Sequence, residues 1–345
     1  MRRSRSLLAF AAAAATALVL AGCAGDDAAA PGDDEVVETG DLDALIAAAQ
    51  EEGEVVFYLT PPEATGQALA DAFFEEYDIE ATFVRLTGGE LSSRFSAEVE
   101  AGAPVADLVL PSYDQFIDEG LAAGWLTGLD EGGVPAFEDF PEEGKLDGGI
   151  AIVQFSPSAL SWNTDALGDL PVPDSFDDLA DPQYAGKLLL TDPTSSQAYI
   201  QFWTLIMDEY GLETVQAIAD NRVRLYNSVV PMTEALAAGE GAATGPNVSA
   251  VVAGAAKNGA PVEFALPDLT TGPEIVMALT TEAAHPNAAR LFANFVLSEK
   301  AQEIINGVPG NLSAFDYDQM PADYVRVDRD SALKNEEVIL DAFGL

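Results

Sequence analysis

The chain has one cysteine and one histidine among 345 residues, and this scarcity excludes several kinds of site. A single cysteine forms neither a disulfide within the chain nor a thiolate metal site, and clustered cysteine and histidine ligands for a transition metal are missing too. Serine catalysis would need His285, which precedes Pro286 at a predicted helix start, and we interpret it as a surface or capping residue. No glycine-rich phosphate loop is present. We therefore predict no enzymatic activity, no catalytic residue, no metal site and no cofactor.

Basic residues are also scarce. The sequence has 15 Lys and Arg against 58 Asp and Glu, a formal net charge of -43. Such a surface repels nucleic acid and anionic headgroups, so nucleic acid is excluded as a partner. Dense carboxylates keep a protein soluble and are typical of growth in salt. We interpret the bulk charge as a sign of habitat and solubility, and it does not decide the charge of a ligand.

Long apolar runs are limited to the first residues. Positions 7 to 21 are apolar apart from one threonine and follow three arginines, a pattern typical of a signal peptide. The run is shorter than the roughly 20 apolar residues of a spanning helix. Residues 18–23, "LVLAGC", resemble a bacterial lipobox, which implies a signal over 1–22 and lipidation, such as palmitate, at Cys23. The alternative is an ordinary secreted protein whose signal contains a cysteine by chance.

From residue 23 onward the sequence predicts a tether followed by a two-lobed α/β protein. Residues 23–40 are small and acidic without an apolar period, which predicts a flexible tether. From residue 41 short apolar strands alternate with helices, which predicts mostly parallel sheets flanked by helices. We expect one lobe over 41–155, completed by about 272–310. The second lobe is expected over 156–271 with 311–345, and hinge strands near 150–158 and 266–275.

Polar loops rich in Gly, Ser, Thr and Asn recur between a strand's carboxyl end and the next helix. In open α/β sheets ligands lie outside the carboxyl ends of the strands, where helix starts offer unpaired N–H groups. The alternative is that these residues only cap their helices. The predicted ligand-binding residues are Thr60, Glu63, Thr87, Gly88, Gly89, Ser112, Tyr113, Phe155, Ser156, Asp192, Thr194, Ser195, Ser196, Tyr226, Asn227, Ser228, Thr244 and Asn247.

The charge of the ligand is argued from the same loops. None of the basic residues lies inside them, so backbone donors must carry the recognition of an anion, with Thr194, Ser195 and Ser196 as the main contacts. Arg94 lies within a predicted helix and is interpreted as a surface residue. Acidic residues in or beside the loops, including Glu63, favour an amine instead, so a cationic ligand stays an alternative.

Four segments, in this order and spacing, resemble the extracellular solute-binding proteins of ABC importers, in the branch that includes ferric-iron binders. They are "AAQEEGEVVFY", "SWNTD", "PDSFDDLADPQYAGKLLLTDPTSSQA" and "HPNAARLFANFVLSEKAQE". The resemblance implies a type II periplasmic-binding-protein-like fold whose two lobes close on one small solute. It also implies a monomer that is lipid-anchored on the extracytoplasmic face and delivers the solute to a permease and ATPase.

One departure from the family pattern bears on the ligand. Ferric binders of this branch carry adjacent tyrosines after the loop that corresponds to "TGPN", and "GPNVSAVVAG" has none. A small organic anion such as a phosphonate, sugar phosphate or carboxylate is therefore favoured over ferric iron or a polyamine. Two other classes stay open: an enzyme with paired carboxylates on the same scaffold, and a surface adhesin or assembly lipoprotein without a polar cleft.

Overall fold

The computed structural model describes residues 41–345. The predicted signal over 1–22, the tether over 23–40 and Cys23 lie outside the described residues, so the lipid anchor stays a prediction.

Within the described part of the chain, 14 strands form two large sheets and one small one. In chain order they are β1 (Glu54–Leu59), β2 (Glu80–Arg85), β3 (Leu108–Leu110), β4 (Leu126–Thr127), β5 (Lys145–Leu146), β6 (Ile150–Phe155), β7 (Ser158–Asn163), β8 (Leu188–Thr191), β9 (Arg222–Tyr226), β10 (Ala243–Val248), β11 (Val262–Ala265), β12 (Leu269–Thr270), β13 (Glu274–Thr280) and β14 (Asp323–Tyr324).

Between the strands, residues 41–345 form 12 α-helices. They are α1 (Leu42–Glu52), α2 (Glu63–Tyr77), α3 (Gly88–Glu100), α4 (Gln115–Ala123), α5 (Thr164–Leu167), α6 (Gln197–Tyr210), α7 (Leu212–Asp220), α8 (Val229–Ala237), α9 (Ser249–Lys257), α10 (Pro286–Val296), α11 (Glu299–Asn306) and α12 (Arg329–Phe343). Their ends follow local chemistry: the Asp41 side chain caps α1 by accepting from the Ala44 N–H, and Gly53 ends it in the left-handed region at φ 78°.

The first large sheet has the strand order β2-β1-β3-β13-β6-β5, and β4 also pairs with β13. Strands β2, β1 and β3 are parallel, while β13 is antiparallel to both β3 and β6. An aromatic cluster covers one face, in which the Phe57 and Phe292 rings stack at 4.6 Å and Phe73 meets Phe292 edge-on at 5.0 Å. We call this sheet with α1–α4, α10 and α11 the first lobe.

The second large sheet has the order β11-β7-β10-β8-β9. Strands β10, β8 and β9 are parallel, and β7 is antiparallel to its neighbours. Its main core contains Phe176, Phe202, Trp203 and Phe343, and a smaller cluster around Met232 covers α8 and α9. We call this sheet with α5–α9 and α12 the second lobe.

The predicted parallel arrangement holds for strands that are joined by a helix, as β1 and β2 are. Each large sheet also contains antiparallel pairs, so each is a mixed sheet. Strand β6 carries the chain toward the second lobe and β13 carries it back. Because these two strands lie side by side in one sheet, they must run in opposite directions. The alternation of strands and helices in the sequence does not record this return path.

The two crossing segments are joined to each other. The Ser156 N–H donates to the Pro273 carbonyl (3.0 Å) and the Ser158 N–H to the Thr271 carbonyl (2.9 Å). Gly272 lies against the other segment, where a Cβ would come within 2.0 Å of the Ser156 oxygen. The crossing is therefore a close-packed backbone pair, and a side chain larger than hydrogen is excluded at 272.

The C-terminal segment makes a third link between the lobes. Phe155 and Leu312 exchange backbone hydrogen bonds of 2.8 and 3.0 Å, and Ala314 joins the first core. Strand β14 then pairs with β12, and α12 packs against α6 and α7 of the second lobe. Residues 312–329 therefore run from one lobe to the other beside the crossing strands.

Candidate functional site

The carboxyl ends of the parallel strands in the first lobe lie at one edge of the sheet. Thr60, which follows β1, donates its N–H to the carbonyl of Leu110 at the end of β3 (3.0 Å). Ser112, just beyond β3, forms a bridge with Ile275 near the start of β13. Helices α2, α3 and α4 begin after these strand ends. The loop after β3 therefore lies beside the crossing strands, and the loop after β1 is joined to it through Leu110.

The second lobe presents the same edge to the same crossing. The Asp192 N–H donates to the Tyr226 carbonyl (2.7 Å), which joins the loops after β8 and β9. Val248, at the end of β10, pairs with Ser158 at the start of β7, directly after the crossing. Since ligands of open α/β sheets bind outside the carboxyl ends, the two edges define a candidate cleft between the lobes.

In the first lobe, most predicted site residues are accessible but already have local partners. Thr87 donates through its N–H (2.9 Å) and its hydroxyl (2.7 Å) to Glu90, and these bonds lower the pKa of the Glu90 carboxyl. The Thr60 hydroxyl bonds weakly to the Leu110 carbonyl at 3.4 Å. Glu63 and Gly89 are exposed, and Gly88, Ser112, Tyr113 and Ser156 are half-buried. The Ser156 hydroxyl bonds to Asn311 Oδ1 at 3.0 Å.

In the second lobe the loop after β8 is tied down by its own cap. One oxygen of Asp192 accepts from the N–H (2.9 Å) and the hydroxyl (2.7 Å) of Thr194, and the Ser196 hydroxyl accepts from Ala198 N–H (3.3 Å). Ser195 is exposed. The capping interpretation therefore holds for the side chains of Asp192 and Ser196.

The start of α8 has no side-chain cap although a serine stands there. Ser228 occupies the capping position, but its side chain makes no capping hydrogen bond. Burial raises the pKa of the nearby Tyr199, and the Val229 backbone opposes that shift. Asn227 beside Ser228 is exposed. A serine hydroxyl not used for capping thus lies at the carboxyl edge of the second sheet.

Four predicted site residues have buried side chains. Phe155 is fully buried, Tyr226 donates to Glu240 (3.3 Å), the Thr244 hydroxyl lies 3.1 Å from the Met232 sulfur, and Asn247 bonds to a threonine in α8. The sequence placed the last two in a loop, "TGPN", whereas the structure places them inside strand β10. The prediction that Thr244 and Asn247 lie in a loop is therefore wrong. Small residues let the strand pass close to neighbouring side chains, since a Cβ on Gly245 would meet the Phe176 ring at 2.8 Å.

Sequence reasoning missed the C-terminal residues that the fold brings to the cleft. Arg326 donates to Glu274 (2.8 Å) and to the Glu143 carbonyl (2.8 Å), and its guanidinium lies 5.5 Å from the Phe155 ring centre. The Tyr324 hydroxyl also donates to Glu274 (3.0 Å). Burial raises the pKa of Glu274 above its ordinary value, and Arg326 opposes that shift.

Arg329 is the second C-terminal arginine that contacts a predicted site residue, in this case Tyr113. Its guanidinium lies over the Tyr113 ring at 4.6 Å and forms an ion pair with Asp118 in α4. Burial raises the pKa of Tyr113 and also that of Asp114, which Arg329 opposes in both cases. The sequence signal that pointed here was two arginines three positions apart in a chain poor in basic residues, but nothing in the local sequence tells where they pack.

Residues 41–345 contain no group of three or more His, Cys, Asp and Glu side chains placed to hold a metal ion. No helix within that range is long and apolar enough to cross a membrane. His285 lies at the start of α10, where its Nδ1 is 3.0 Å from the buried carboxylate of Asp107.

Comparison with known proteins identifies the family. A family model described as bacterial extracellular solute-binding protein matches residues 103–335. A substrate-binding protein of an ABC transporter from Agrobacterium tumefaciens is 17% identical, with a TM-score of 0.70 over 84% of this chain and 94% of that one. Iron-bound HitA from Pseudomonas aeruginosa and AfuA from Actinobacillus pleuropneumoniae with fructose-6-phosphate are each 21% identical. Their TM-scores are 0.64 and 0.63, and each alignment covers 85% of this chain and 99% of the other.

At these identities the solved structures establish the two-lobed periplasmic-binding-protein fold, and the predicted fold class is confirmed. The matching family is described as extracellular and solute-binding, and the Agrobacterium tumefaciens protein is the substrate-binding protein of an ABC transporter. With a family model that spans two thirds of the sequence, this chain belongs to the bacterial extracellular solute-binding proteins.

Proposed function

We propose that this protein captures a small organic anion in the cleft between its lobes and delivers it to the permease of an ABC importer, while Cys23 anchors it to the membrane. The observation that carries the proposal is that strand ends of both lobes reach the crossing segments: Ser112 after β3 bridges to Ile275, and Val248 at the end of β10 pairs with Ser158. Helix starts supply N–H donors and the positive end of a dipole to an anion.

The lobe boundaries belong to the same proposal. We take 41–155 with about 272–310 as one moving body and 156–271 with 311–345 as the other. The monomeric state, the absence of enzymatic activity and the contribution of individual loop residues are proposed with it.

Two related proteins bind different solutes, so family membership does not name the ligand. One structure holds iron and the other fructose-6-phosphate. Three features favour the anion: the start of α8, where the Ser228 hydroxyl makes no capping bond, the two arginines of the C-terminal segment, and the missing tyrosine pair in "GPNVSAVVAG". A cationic ligand is the second candidate, because Asp114 and Asp118 lie beside the Tyr113 loop.

The test follows the melting temperature of the purified protein with a panel of compounds. Methylphosphonate, fructose 6-phosphate and citrate represent the anions, and spermidine and ferric ion represent the cations. A ligand at 100 times its dissociation constant stabilises the folded state by about 2.7 kcal/mol. Stabilisation by one of the anions supports the proposal. Stabilisation by spermidine or ferric ion alone contradicts it.

A further inference from the structure

Arg329 lies at the boundary between the lobes, at the carboxyl edge of the second sheet. It is the first residue of α12, a second-lobe helix that also contacts the turn at Pro193–Ser195 after β8. The other end of α12 lies at the opposite edge, since the Phe343 carbonyl accepts from Arg222 at the start of β9 (2.8 Å). At the first end of α12, the Arg329 guanidinium contacts Tyr113 and Asp118 of the first lobe.

The guanidinium of Arg329 is only partly committed to its present partners. Its side chain is 27% exposed and that of its partner Asp118 is 53% exposed. Within residues 41–345, Nη1 of Arg329 has no hydrogen-bond partner although it is buried. An exposed carboxylate is a weak partner, because ion pairs in contact with solvent contribute about 0 to 1 kcal/mol. Another anion can therefore replace Asp118 as the partner of Arg329 at a small cost in free energy.

We infer that Arg329 is the charged contact for the anionic group of the solute, an inference that rests on the proposed function and deepens it. The planar guanidinium matches carboxylate, phosphonate and phosphate oxygens in a bidentate manner. The Tyr113 ring lies 4.6 Å from the guanidinium carbon and holds the arginine beside the loop. Asp118 pairs with the arginine in this structure, and the bound anion replaces that carboxylate, so Arg329 has a charged partner in both states while the released Asp118 carboxylate is solvated.

The other candidate arginines fit this role less well. Arg326 is paired with Glu274, whose side chain is only 6% exposed. If a solute drew Arg326 away, the buried Glu274 carboxylate would lose its charged partner. Arg94 pairs with Glu98 on its own helix (2.8 Å) and lies over Tyr58 (4.8 Å), outside the loops of the cleft. Arg94 therefore supplies a matched control, with the same pairing of one tyrosine ring and one carboxylate.

The experiment measures dissociation constants by titration calorimetry for inorganic phosphate, methylphosphonate, fructose 6-phosphate and citrate. The proteins are the wild type, R329Q, R329K, D118N and R94Q, each checked for folding by circular dichroism. R329Q should weaken the binding of the preferred anion by about tenfold or more, the effect expected of a lost hydrogen bond to a charged group. R329K should fall between R329Q and the wild type because it keeps the charge without the planar fork. R94Q should stay close to the wild type.

D118N provides an independent readout that does not require a variant of the arginine to fold. Removing the competing carboxylate should tighten anion binding by about two- to fivefold, the range expected for an exposed ion pair. A role of Arg329 confined to stability would not produce tighter binding in D118N.

The outcomes separate the two proposals. If an anion binds wild type, R329Q and R94Q with equal affinity, the inference about Arg329 is wrong and the proposed function stands. Should R329Q fail to fold, unchanged or weaker anion binding by D118N overturns the inference. If no anion of the panel binds the wild type, or only spermidine or ferric ion stabilises it, both proposals are wrong.

Discussion

The α-carbon of Gly272 packs against the carbonyl of Ser156, so that the segments crossing between the lobes touch backbone to backbone. A Cβ at 272 would lie 2.0 Å from the Ser156 oxygen and 3.0 Å from the Pro157 α-carbon. Gly272→Ala must therefore push the two segments apart and weaken the bonds that join 156–158 to 271–273.

We expect Gly272→Ala to lower the free energy of unfolding by about 1 to 3 kcal/mol, the usual cost of overpacking. Urea denaturation measures it. Gly254→Ala is the matched control, because a Cβ there meets nothing within 4 Å and alanine favours a helix by roughly 0.5 to 1 kcal/mol. Equal stabilities of wild type and Gly272→Ala would show that the crossing strands are less tightly packed than described.

Glu274 gives a pH dependence with a definite sign. Its pKa is raised by burial, so its contribution to stability is present at low pH and is lost as the pH rises through the folded-state pKa. Glu274→Gln removes this titration while keeping acceptors for Arg326 and Tyr324. The difference in unfolding free energy between wild type and Glu274→Gln should therefore shift in favour of the wild type as the pH falls from 7 to 5. Thermal unfolding across that range measures it, and a shift in the opposite direction would mean that Arg326 outweighs burial.

Capping and ligand binding can be separated with two substitutions in the second lobe. The Asp192 carboxylate holds Thr194 through two hydrogen bonds, so Asp192→Ala should lower stability by about 1 kcal/mol, as loss of a cap does. The Ser228 hydroxyl makes no capping bond, so Ser228→Ala should change stability by less than about 0.5 kcal/mol and weaken anion binding. Denaturation and titration of both variants measure these effects. A large loss of stability in Ser228→Ala with unchanged binding would favour the capping interpretation there.

The membrane anchor is tested by Cys23→Ser, which removes the thiol that the lipobox-like "LVLAGC" implies is lipidated. The variant should leave the membrane fraction or accumulate as an uncut precursor. Cell fractionation and immunoblotting measure this. A processed protein that still needs detergent for release would mean that Cys23 is not the anchor.

The sequence predicts the architecture better than the site. Strand and helix periods are local, and the face formed by Trp203 and Ile206 is buried as the spacing of α6 indicates. Whether a loop residue points outward depends on contacts far along the chain. Phe155 is covered by Tyr317 and Tyr324, which follow it by 162 and 169 residues (317 − 155 and 324 − 155), so a residue at the end of an apolar strand cannot be placed from its neighbours alone.

The C-terminal arginines illustrate the same limit. Arg329 reaches Tyr113 only because α12 packs on α6 and α7 while residues 312–325 follow the crossing strands. Nothing in "DYVRVDRD" records that path, because it is set by tertiary packing. The expectation that backbone donors alone must hold an anion followed from the loop sequences, and the fold adds guanidinium groups beside those loops.

Small-angle X-ray scattering of the protein, alone and saturated with the anion that raises its melting temperature most, tests most directly whether two lobes close on a solute. Closure about the segments at 156–157 and 271–273 should lower the radius of gyration, and R329Q at the same anion concentration should show less of the change. Scattering curves that are identical with and without saturating anion would contradict the account.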